Sequence, residues 1–116
     1  MTAREKRIER LKKQKNLSFS DQLALIYDKR ERKEKLSYAD YVLMLLAGDE
    51  IAFEYKNAIY ENVYVKKDLI HFCRTVYCED TIVEESYEVF SCVKDLLNYA
   101  KIDGKTIELA WSEISC

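Results

Sequence analysis

Apolar positions recur along this chain with two periods, and the change from one to the other falls at Gly48. Before it the pattern is helical. Residues 2–15 hold no Gly or Pro and are rich in Arg, Lys, Glu and Gln, all good helix formers, but Ile8 and Leu11 are the only large apolar side chains among them. So narrow a stripe cannot hold a helix on a core, so the segment is expected to be a mobile arm or a helix that a partner orders. Asn16-Leu17-Ser18-Phe19-Ser20 reads as a break, with Ser20 the expected N-cap of a second helix in which Leu23, Ile26 and Tyr27 share a face. The stretch Lys29-Arg30-Glu31-Arg32-Lys33-Glu34-Lys35 then continues it as a solvated end with ion pairs at i and i+4. Ser37 and Asp40 have capping-box spacing, Gly48 stands where a left-handed C-cap residue is expected, and residues 41–46 between them are apolar on every side. That third helix is predicted to be central to the core.

After Gly48 the alternation becomes that of strands. Ile51, Phe53 and Tyr55 alternate with Ala52, Glu54 and Lys56, and Asn57-Ala58 leads to a second strand with Ile59, Val63 and Val65 on one side and Tyr60 and Tyr64 on the other. These two are expected to form an antiparallel hairpin. Residues 69–78 are a third strand rich in β-formers, and 81–90 a fourth, where Val83, Glu85, Tyr87 and Val89 share one parity. Ser91 is the expected cap of a helix carrying Val93, Leu96, Leu97 and Ala100; Asp103-Gly104 makes a tight turn; and Thr106 caps a last helix with Ile107, Ala110, Trp111 and Ile114. The predicted class is α+β: a small antiparallel sheet of three to four strands packed with helices, preceded by an N-terminal helical region with a basic arm. Residues 1–35 read as the charged helical region and 36–116 as a single α+β domain.

Charge divides the chain at the same place. Residues 1–35 hold twelve Lys or Arg against six Asp or Glu, a net of +6, whereas residues 36–116 hold seven against fifteen, a net of −8. Blocks of opposite sign attract partners of opposite sign, so the overall −2 conceals two different surfaces. No apolar run approaches the ~18 residues of a membrane span, and no apolar stretch follows Arg4, Lys6 and Arg7 as a secretory signal requires, so no membrane partner and a cytoplasmic location are expected.

Candidate chemistry is sparse. His71, Cys73 and Cys78 are close in sequence, and Cys92 or Cys116 could complete a zinc site, but structural zinc ligands arrive as tight pairs in Gly-containing turns that this sequence lacks. Free thiols, no metal and no cofactor are the expectation. Neither Gly48 nor Gly104 lies in a phosphate-binding pattern, and Glu84 and Glu85, adjacent on a strand, point to opposite faces and cannot work as an acid–base pair. An enzyme is therefore not expected.

Two surfaces are left as candidates. Glu79, Asp80, Glu84, Glu85 and Glu88, with Tyr77 and Tyr87 among them, form an acidic and aromatic surface able to imitate a nucleic-acid backbone in front of a basic protein channel. The cations Arg4, Lys6, Arg7, Arg10, Lys12, Lys13 and Lys15 could instead contact phosphates, although that segment has no aromatic for base stacking.

Residues 90–114, FSCVKDLLNYAKIDGKTIELAWSEI, resemble the closing helix-turn-helix of small accessory proteins of phages and integrative elements of Gram-positive bacteria, in which a strand hairpin such as EIAFEYKNAIYENVYV (residues 50–65) often precedes it. The resemblance covers about half of the chain. It implies a mobile-element setting that includes anti-defence factors of the anti-CRISPR type. The function expected on that basis is a non-enzymatic inhibitor that binds a host nucleic-acid-handling protein, such as a CRISPR effector nuclease, and blocks guide RNA or DNA. The alternative is a nucleic-acid-binding accessory or regulatory protein acting through the basic arm.

Overall fold

A computed structural model describes residues 2–114. The fold is α+β, with a four-stranded antiparallel sheet, a two-stranded hairpin and five α-helices. The chain forms two compact units that divide between Leu43 and Met44.

The first unit begins with α1 (Ala3–Lys13) and α2 (Phe19–Glu31). The expected mobile arm, or helix ordered only by a partner, is corrected here. Thr2 caps α1 by accepting the Glu5 N–H at 3.1 Å, and α1 packs along α2 with Ile8 and Leu11 buried. Ion pairs frame the contact between the two helices: Arg4 to Glu31 at 2.7 Å and Arg7 to Asp21 at 3.5 Å. The second cap is also corrected. It is Ser18, not Ser20: its hydroxyl accepts the Asp21 N–H at 3.1 Å, and an acid at the third helical position favours this start. The charged end behaves as expected, with Arg32 bound to Asp28 at 2.7 Å; Lys33, at φ 57°, then ends the helix. Helix α3 (Tyr38–Leu46) opens on the reciprocal capping box, in which the Asp40 N–H donates to Ser37 Oγ and the Ser37 N–H to the Asp40 carboxylate. It closes on Gly48 at φ 85°, where the Gly48 and Asp49 N–H groups return to Leu45 and Met44 carbonyls at 3.0 Å each.

In the second unit β1 (Ala52–Tyr55), β2 (Ala58–Lys66), β3 (Leu69–Cys78) and β4 (Thr81–Phe90) form an antiparallel meander in that order. The two-residue turn Lys56–Asn57 sets Tyr55 opposite Ala58 and Phe53 opposite Tyr60. Residues directly opposite share a face, so burying Phe53 and Tyr55 obliges β2 to bury Ala58, Tyr60 and Asn62. The side of β2 that carries Ile59, Val63 and Val65 therefore faces outward: Ile59 and Val65 are exposed and Val63 is half-buried. On the inner face the Phe53 and Phe72 rings flank Tyr60 with centroids 5.6 Å away on each side, and Trp111 meets Phe53 edge-on at 5.9 Å.

Helix α4 (Val93–Tyr99) packs on β3 and β4. Ser91 is not its cap: Cys92 holds that position without a side-chain hydrogen bond, and the Ser91 hydroxyl donates to Asp95 instead. The expected helix-turn-helix is a helix-hairpin-helix. Strands β5 (Lys101–Ile102) and β6 (Lys105–Thr106) join through Asp103 and Gly104, at φ 55° and 77°. Thr106 then caps the single turn α5 (Ile107–Ala110), as expected, and a 3₁₀ turn (Trp111–Glu113) follows. Among the described residues no helix is long and apolar enough to cross a membrane.

Candidate functional site

Strand β4 is the outer edge of the sheet, and along its ten residues only Phe90 is buried. The core beneath the inner face ends at β3, where Ile70 and Phe72 are buried and the next inward residue, Arg74, is only half-buried. Beyond Arg74 the inner row of β4 is polar: Ser86 stands opposite Arg74, Glu84 opposite Val76 and Glu88 opposite Phe72. Glu85 and Tyr87 lie on the outer face, opposite Thr75 and Cys73. Val83 is the extra residue of a bulge, since Val76 pairs with Glu84 and Tyr77 with Ile82.

The acidic residues therefore do not share one face. Glu84 and Glu88 project to one side of the sheet, Glu85 to the other, and Glu79 and Asp80 form the β3–β4 turn at the tip. What unites them is the free edge, because a partner approaching in the plane of the sheet meets both rows at once. Glu84 and Glu88 are ~13 Å apart at the ordinary strand rise. The tip is conformationally costly: Glu79 and Asp80 adopt φ of 55° and 34°, the left-handed region where turns of this kind favour Asn and Gly. The chain places two carboxylates there instead. Among the described residues one cation pairs with this row, Arg74, whose guanidinium meets Glu84 at 2.8 Å. Tyr87 is 63% exposed yet held in place, its ring stacked on His71 at 4.7 Å and 9°.

The basic candidates separate in a different way. Arg4 and Arg7 are spent on α2, and the hydrogen bond from Arg4 to Glu31 raises the Arg4 pKa. At ~100° per residue, Lys6, Arg10 and Lys13 fall on the side of α1 opposite Ile8 and Leu11. Lys12 lines a charged hollow shared with α2, among Glu5, Glu9, Asp28 and Glu31. Lys15 lies exposed beyond the helix end. Arg10, Lys12, Lys13 and Lys15 form no ion pair among the described residues.

Of the zinc candidates, His71 and Cys73 share the outer face of β3 as expected, Cys78 is at the strand end and Cys92 begins α4. Cys116 lies outside the described residues. Cys73, Cys78 and Cys92 are free thiols, and burial, with Glu61 and Glu85 nearby, raises the Cys73 pKa and makes it a poorer nucleophile. Among the described residues no three His, Cys, Asp or Glu side chains cluster to hold a metal. The Tyr55 hydroxyl lies within donating distance of either Asp103 or Glu113, at 3.3 and 3.2 Å, but the hydrogen bonds from Lys56 to Asp103 and from Lys105 to Glu113 hold both carboxyls below their ordinary range. They stay ionised and are unsuited to proton transfer near neutral pH.

The sequence reading missed Asn62, Arg74 and Lys101. The first two become legible once the two-residue turn after Tyr55 fixes the strand parity. Comparison with known proteins finds no matching family model, no matching curated protein and no matching solved structure.

Proposed function

We propose that the protein is a non-enzymatic binding protein that presents the free acidic edge of β4 to a basic, nucleic-acid-handling host protein and competes there with guide RNA or DNA. The observation that carries this reading is the edge itself: nine of its ten residues are exposed, and among the described residues its carboxylates and the two at the tip form an ion pair with one cation. Closely spaced carboxylates along an extended strand give a basic channel an anionic row to bind, and charge complementarity of this kind governs partner choice and association rate. The mobile-element resemblance supplies the class of host protein, a CRISPR effector nuclease being the instance it implies. The second reading, nucleic-acid binding, is favoured by the stripe of Lys6, Arg10 and Lys13 turned away from α2. A pull-down from host lysate, with and without nuclease, separates the two. Recovery of a host protein that survives nuclease and is displaced by added guide RNA supports the acidic edge, and recovery of nucleic acid alone supports the basic helix.

A further inference from the structure

In the acidic second unit three cations from separate parts of the sequence converge on one cavity. Only seven Lys or Arg occur among residues 36–116, and three of them, Lys56, Arg74 and Lys101, line a single cavity of about 510 Å³. The cavity opens on the inner side of the sheet where the aromatic core gives out. Ala58 and Val76, directly opposite one another on β2 and β3, lie among its lining residues, and the small Ala58 side chain leaves room above the sheet. The β5–β6 turn contributes Lys101 and Asp103 at the rim. Its lining thus carries three positive charges against one negative, with an apolar patch between them.

We infer that this cavity is a binding site for a small phosphate monoester, of the size of a sugar phosphate. The net lining charge of +2, or +1 when the Glu84 paired with Arg74 is included, favours an anion such as a monoester, which carries about −1.5 to −2 at pH 7. Arg74 supplies a planar fork suited to two phosphate oxygens, while Lys56 and Lys101 act as point charges. The cavity falls within the ~300–1,000 Å³ usual for small-ligand sites, and Ala58 and Val76 offer the organic part of the ligand an apolar contact. Two of the cations already have partners, Lys56 with Asp103 and Arg74 with Glu84, each at 2.8 Å, and Arg74 also hydrogen-bonds with Tyr60 in the cavity lining. Three of these four groups are more than half exposed and Arg74 is 38% exposed, so these pairs hold the cations in position at little stabilisation and a dianion can displace them. Lys101 forms no ion pair among the described residues. The site uses residues other than the acids of the proposed partner surface, apart from the Arg74–Glu84 pair, and is read in purified protein, so its outcome is separate from that of the host-protein reading.

The test is titration of the full chain with ribose 5-phosphate, inorganic phosphate and ribose, by calorimetry and by amide chemical shifts. Ribose 5-phosphate is expected to bind one per chain, ribose not at all, and inorganic phosphate about tenfold more weakly because it lacks the organic contact. Lys101→Gln and Arg74→Gln should each weaken binding about tenfold, the loss of one charge-assisted contact, while Lys94→Gln leaves it unchanged. Binding should also fall as the phosphate gains a proton below pH ~6. Lys101 is exposed, so that variant reports on the site even if Arg74→Gln disturbs the sheet. Absence of saturable binding, equal affinity for inorganic phosphate, indifference to Lys101→Gln, or shifts confined to α1 would each overturn the inference.

Discussion

Asn62 is the buried polar residue on which the start of the sheet depends. Its side chain is fully buried, its Oδ1 accepts the Ile51 N–H at 3.0 Å, and its Nδ2 donates to the Asp49 carbonyl at 2.8 Å. These bonds tie the segment after Gly48 to β2 just before β1 begins, so the amide stands in for a strand rung. Replacing it with leucine leaves one backbone donor and one acceptor without their partner, each worth ~1–3 kcal/mol when buried. The apolar side chain offsets part of this, and the expected net loss for Asn62→Leu is ~2–4 kcal/mol. The assay is urea unfolding of wild type and variant, with the midpoint shifted and the slope unchanged. A loss below ~0.5 kcal/mol, within the range of ordinary surface substitutions, would refute the reasoning.

The packing of α1 predicts that Leu11→Ala, at a position only 3% exposed, destabilises the helical unit by ~2–3 kcal/mol, the low end for a buried leucine; unchanged thermal unfolding by circular dichroism would return α1 to a mobile arm. Asp40 predicts acid sensitivity. Burial pushes its carboxyl up, but the hydrogen bonds from Lys29 and Ser37 together override this and hold it below its ordinary value. A depressed carboxyl contributes stability that is present above its unfolded pKa of ~3.9 and is lost as pH falls through the lower folded value. Asp40→Asn should therefore be less stable than wild type at neutral pH, with the gap closing below pH ~4; a gap independent of pH would contradict the ion-pair account.

The sequence was most informative where a local rule acts alone. The Ser37–Asp40 box, the Gly48 stop, the Asp103-Gly104 turn and the Thr106 cap all follow from backbone groups that need partners within a few residues, and each is found where its residues predict. Hydropathy alone did not say which side of β2 is buried: Ile59, Val63 and Val65 are the more aliphatic set, while the turn length and Phe53 dictate that the other parity faces inward. It failed on α1 because a two-residue stripe is judged by what it faces, which a single segment does not reveal. The acidic residues were legible as a group, and so was the opposition of Glu84 and Glu85 across the strand; that β4 is an edge strand whose inner row extends past the core was not, since it depends on the strand order of the sheet. The basic cavity was invisible for a related reason: Lys56, Arg74 and Lys101 are scattered in sequence and meet only through the strand register and the β5–β6 hairpin.

The proposed partner surface is tested most directly by charge reversal along the free edge. Glu79→Lys, Glu85→Lys and Glu88→Lys are combined, sparing Glu84 so that the Arg74 pair is kept. The comparison variant reverses Arg10, Lys12 and Lys13 to Glu on α1. Capture of the nuclease-resistant host protein is measured for both, with the fold verified by circular dichroism. Exposed charges contribute little to stability, so both variants should fold. The account predicts that the edge variant loses the host protein, that wild-type capture weakens with added salt, and that the α1 variant retains it. Full capture by a folded edge variant, or loss of capture in the α1 variant alone, would contradict it.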